Sequence, residues 1–68
     1  MAKYMLIDTF EGEISVSYFD NLDDAKDKLR EAFDDVYGVE CEEICEDGMR
    51  AWSKSRVGVS GWLIEQIA

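Results

Sequence analysis

One amphipathic stripe in the middle of this 68-residue chain governs what it can fold into. Leu22, Ala25, Leu29, Ala32, Phe33 and Val36 recur at three- and four-residue intervals, the spacing that gathers side chains on one side of an α-helix. Asp23, Asp24, Asp27, Glu31, Asp34 and Asp35 fall largely outside that stripe. Asn21 stands ahead of it as an N-cap, with Asp24 three residues on as in a short-armed capping box. Asp23 and Asp24 also suit the positive end of a helix dipole, whereas Asp34 and Asp35 carry the wrong sign for the negative end. Gly38 fits the C′ position, where left-handed backbone ends a helix. The pattern predicts a helix over 22–37. A helix with a single apolar stripe needs a sheet to cover.

The flanking segments supply that sheet. Lys3-Tyr4-Met5-Leu6-Ile7-Asp8-Thr9 is a short apolar run suited to a strand. Phe10-Glu11-Gly12-Glu13 makes a turn, with Gly where positive φ is tolerated. Ile14-Ser15-Val16-Ser17-Tyr18-Phe19 alternates, with Ile14, Val16 and Tyr18 on one face and Ser15 and Ser17 on the other, so the two segments read as a β-hairpin with the second strand half-buried. After Gly38, Val39 to Cys45 reads as a third strand. Asp47-Gly48 is a turn signal, and Met49 to Ser53 returns as a fourth strand. Lys54 to Gly61, with two glycines and two serines, reads as a flexible loop, and Trp62 to Ile67 closes as a fifth strand.

The expectation is therefore one α+β domain spanning 1–68, in the order ββαβββ. It has two layers: an antiparallel sheet of four to five strands, with one amphipathic helix on one face. The expected core draws on Leu6, Val16, Tyr18, Leu29, Phe33, Trp52, Trp62 and Ile64. Trp62 reads as core; Trp52, beside Arg50, Lys54 and Arg56, reads equally as core or as an exposed interface anchor. Whether strands two and three lie parallel in the sheet stays open. A core this small yields only a few kcal/mol of net stability, so dimerisation burying a sheet face or edge stays open too.

Composition sets the class. The chain is 47% hydrophobic, too apolar for a disordered acidic tail. No apolar run approaches the roughly 20 residues of a membrane span, and the N-terminus lacks the pattern of a signal peptide. The net charge is −9. Residues 1–19 hold Lys3 against Asp8, Glu11 and Glu13. Residues 20–47 hold twelve acids against Lys26, Lys28 and Arg30, while residues 48–68 hold Arg50, Lys54 and Arg56 against Glu65. An acidic middle repels nucleic acid and anionic membrane and steers toward basic partners. Direct nucleic-acid binding is therefore not expected.

Catalytic parts are scarce. With no His, the commonest general base near neutral pH and the commonest metal ligand are absent, as are Ser-His and Cys-His nucleophile pairs. No glycine-rich loop leads from a strand into a helix to cradle phosphate. No enzyme activity and no cofactor are expected. Cys41 and Cys45 with Glu40, Glu42 or Glu43 offer mixed ligands, but two cysteines without His leave a zinc site incomplete unless a dimer completes it. On one strand the two cysteines would be about 13 Å apart, too far for a disulfide; on a helix about 6 Å would separate them along the axis. The strand is favoured, with small buried thiols in a reducing, cytoplasmic setting.

Two readings of the acids stand. They keep a small protein soluble, or they imitate a nucleic-acid backbone. Six acids from Asp23 to Asp35 over about 18 Å of helix are sparser than one charge per roughly 1.7 Å in duplex DNA; acids on the next strand would add to them. Phe19-Asp20-Asn21-Leu22-Asp23-Asp24-Ala25, Ala51-Trp52 and Trp62-Leu63-Ile64-Glu65 give a layout that resembles short proteins encoded by phages and mobile elements of bacteria. That resemblance is one of fold pattern, and such proteins include inhibitors of CRISPR nucleases and restriction enzymes. It implies an anti-CRISPR or antirestriction role, with no functional motif carried over. The leading expectation is a non-catalytic inhibitor. Its partner-binding surface would comprise Asp23, Asp24, Asp27, Glu31, Asp34, Asp35, Glu40, Glu42 and Glu43, set against a basic groove such as that of a nuclease. The alternative is a small oligomeric accessory domain whose acidity serves solubility.

Overall fold

In the computed structural model, which describes residues 2–68, the chain runs β1 (Tyr4–Phe10), β2 (Glu13–Phe19), α1 (Leu22–Asp34), β3 (Val39–Ile44), β4 (Arg50–Ser55) and β5 (Gly58–Gln66). The α+β class, the order ββαβββ and the helix on one face of a five-stranded antiparallel sheet all match the sequence expectation. Among the described residues no helix is long and apolar enough to cross a membrane.

The cap forms as the residues suggest. Asn21 is extended (φ −135°, ψ 158°), and its Oδ1 accepts from the Asp24 backbone N–H at 2.8 Å. Asn21 Nδ2 also donates to Asp24 Oδ2 at 3.0 Å, so the Asp24 carboxylate meets the capping side chain rather than the backbone N–H of a full capping box. The other end differs from expectation. α1 stops at Asp34, with Asp35 as C-cap, and Gly38 lies beyond the C′ position. Asp34 and Asp35 put negative charge beside the free carbonyls of the last turn, Arg30 partners Asp34 alone, and β-branched Val36 follows. Gly38 still uses positive φ (+64°), to turn the chain into β3.

The sheet order is β2-β1-β5-β4-β3, with every neighbouring pair antiparallel. β2 and β3 are thus opposite edges and never pair. The connection through α1 crosses the whole sheet and lays the helix over the central strands. The β1–β2 hairpin turns on Glu11 and Gly12, both at positive φ (51° and 84°), as the tight right-twisting hairpin requires.

The core lies between α1 and the strand residues that point toward it. Ala25, Leu29 and Phe33 from the helix meet Leu6, Ala51, Trp62 and Ile64 from the sheet. Phe33 packs edge-to-face on Trp62, with ring centroids 5.8 Å apart and planes at 77°.

Three expectations are corrected. Val16, Tyr18 and Trp52 are not core; they are 44%, 62% and 43% exposed. Side chains alternate along a strand, and these three sit on the face that α1 does not cover. The loop expected over Lys54 to Gly61 is a tight hairpin: β4 runs to Ser55 and β5 starts at Gly58. Ser53, Ser55 and Ser60 are buried there, on the side of the strand pair that faces the helix layer. Gly58 (φ +148°) also accommodates the Glu11 side chain, which a Cβ at that position would overlap. Finally, Cys41 and Cys45 are free but exposed rather than buried, since β3 is an edge strand and Cys45 opens a turn.

Candidate functional site

The helix sorts its own charges. Ala25, Leu29 and Phe33 face the sheet, so at 3.6 residues per turn Asp23, Asp27, Glu31 and Asp34 line the opposite, solvent side. Asp24 and Asp35 flank that line. All six are exposed. Two of them have local partners. Asp24 is held by Asn21, and Asp34 Oδ2 accepts from Arg30 Nε at 3.2 Å in an exposed ion pair of small worth. Arg30 also lies over the Phe33 ring, 5.8 Å from its centroid. No other ion pair forms among the described residues, so Asp23, Asp27, Glu31 and Asp35 face solvent without a cationic partner.

The strand acids divide. Glu42 pairs in register with Ser53, a residue buried on the helix side, and so points to that side of the sheet from an edge strand that α1 does not touch. Glu43 pairs with Trp52 and belongs to the other face of the sheet. Glu40 lies in the irregular stretch between Val39 and Cys41, where the register shifts. The fold therefore brings together the helix acids alone; Glu42 shares the helix side of the sheet but sits on an edge strand that α1 does not touch, and Glu43 lies on the opposite face. Asp47 has a structural role, its Oδ1 accepting from the Met49 backbone N–H at 2.9 Å.

A second surface is the sheet face that the sequence left open as a dimerisation surface, with Trp52 as an exposed anchor. The sheet face away from α1 is bare and largely apolar, with Ile14, Val16 and Tyr18 on β2, Trp52 on β4 and Val59 on β5 all exposed. The alternation of β2 already signalled it: one helix covers one side of a sheet, so one apolar set had to remain outside. At one end of this face is a cleft of about 300 Å³ lined by Cys45, Asp47, Met49, Arg50, Leu63, Ile64 and Glu65. Arg50 forms no ion pair there.

Among the described residues no cluster of three or more Cys, Asp or Glu side chains could hold a metal ion. Ser53 Oγ and Trp62 Nε1 are buried without a protein hydrogen-bond partner, but both lie inside the core. The exposed groups offer charge on one side of the molecule and apolar contact on the other. The chain matches no protein-family model, no curated protein and no solved structure.

Proposed function

We propose that this protein is a non-catalytic inhibitor whose acidic helix layer engages the basic nucleic-acid-binding groove of another protein. A nuclease of the CRISPR or restriction type is the sharpest form of that target. The observation that carries the reading is the line of Asp23, Asp27, Glu31 and Asp34 along the outer side of α1, flanked by Asp35. Most of these carboxylates have no structural task. A row of exposed carboxylates on a rigid helix presents anionic charge with little ordering cost on binding, as a phosphate backbone does. Two exposed free thiols, Cys41 and Cys45, support a reducing compartment, and a cytoplasmic setting is part of this reading.

Titration into a panel of such nucleases tests this, with DNA affinity and cleavage as readouts. At least one target is expected to lose DNA binding, less so as salt is raised. Reversal at Asp27, Glu31 and Asp34 to Lys is expected to weaken the effect far more than alanine at Ser15 or Ser17. Full DNA affinity and activity across the panel, in excess of this protein, sinks the inhibitor reading. Equal effects of the two variant sets remove the helix as its site.

A further inference from the structure

We propose that the bare face of the sheet is where two copies of this chain pack, sheet against sheet, around a two-fold axis. The proposal concerns a surface that the acidic reading does not use. Three observations select a second copy as the occupant.

The first is continuity. The strand registers align Val16, Ile7, Leu63 and Arg50 in one row across β2, β1, β5 and β4, and Ile14, Thr9, Gly61, Trp52 and Glu43 in the next. The second row is high at Ile14 and Trp52 and lower between them at Gly61, beside which the small Thr9 side chain leans, its hydroxyl donating to the Gly61 carbonyl. A two-fold contact lets each Trp52 meet the low centre of the other copy, the self-complementary shape an isologous interface needs.

The second is charge. The strand residues on this face include Arg50 and Lys54 against Glu43 and Glu65, a balance of zero in a chain of net −9. A strongly basic partner is drawn to the helix layer instead, and an acidic one is repelled by the chain as a whole. Two copies joined here keep both acidic layers outermost and far apart.

The third is size. The longer two dimensions of the molecule are 38 and 24 Å, enough for the roughly 800 Å² per partner of a standard stable interface. Pairing of β2 edges is the competing arrangement, because Ile14 to Phe19 carries no charge or proline to blunt it. That arrangement leaves Trp52 in water.

Sedimentation equilibrium of the full chain over a wide concentration range, with acrylamide quenching of its fluorescence, tests the contact. Trp62 is 5% exposed and Trp52 43%, so quenching reports chiefly on Trp52. A dimer is expected, with quenching falling as it forms. Val16→Glu and Trp52→Glu are each expected to raise the dimer Kd at least ~10-fold, since each buries a carboxylate in an apolar contact. Ser17→Glu, on the other side of β2, is expected to leave it nearly unchanged. A monomer at every concentration overturns the proposal, as does a dimer whose Trp52 stays fully quenchable. Should a variant unfold, the quenching of the native chain still decides. Asp27→Lys and Glu31→Lys are expected to leave the dimer intact, so the dimer and the inhibitor reading fail separately.

Discussion

The two faces of the sheet are made by the same strands, yet they have different fates. On β1 and β5, Leu6, Trp62 and Ile64 are buried, while Ile7 and Leu63, each one residue away, stay partly open. On β4, Ala51 is buried beside exposed Trp52. Hydrophobicity does not separate the two sets. The only difference is that α1 lies over one of them, so burial here follows topology rather than side-chain type. A large aromatic side chain outside and an alanine inside is the plainest sign of it.

That contrast can be broken most forcefully from the covered side. Leu29 is 0% exposed, and Leu29→Ala is expected to cost about 3 kcal/mol in urea unfolding. A loss well below that means that the helix layer holds the sheet less tightly than the packing implies. Asn21→Ala removes the cap that starts the helix and is expected to cost about 1 kcal/mol. Ser53→Ala acts in the opposite direction: it deletes a buried hydroxyl with no protein partner, and a gain of about 1 kcal/mol is expected by the same measurement. A loss there would reveal a hydrogen bond at Ser53 Oγ. Asp35→Lys replaces a like charge at the negative helix end and is expected to raise stability by about 0.5 kcal/mol, an effect that salt diminishes. On the bare side, Val16→Ala in dilute monomer is expected to cost under about 0.5 kcal/mol, as at exposed positions generally. If Val16 costs as much as Leu29, the two faces are not distinct and the dimer forms even when dilute.

Local features were readable because their causes are local. The Asn21 cap, the stripe through Leu29 and Phe33, the Glu11-Gly12 turn and the alternation of β2 each depend on residues within a few positions of one another. Errors arose where a distant partner decides. The helix end is the exception, since Asp34 and Asp35 are local and of the wrong sign for a helix C-terminus, and α1 stops at Asp34, short of Gly38. The glycines and serines of Lys54 to Gly61 resembled a loop; small side chains serve equally well in a close strand pair roofed by a helix. For the candidate site, helical periodicity was enough to group Asp23, Asp27, Glu31 and Asp34. It could not separate Glu42 from Glu43, because which side of β3 faces the helix depends on its register with β4.

By itself the sequence determined one capped amphipathic helix, strands on either side of it, and an acid excess concentrated between Asp20 and Asp47. The tertiary structure alone decided that β2 and β3 become opposite edges and that α1 roofs a single face. It also placed Val16, Tyr18 and Trp52 outside. The reason is that periodicity tells which side chains share a face, whereas only the packing of one layer on another tells which face is covered.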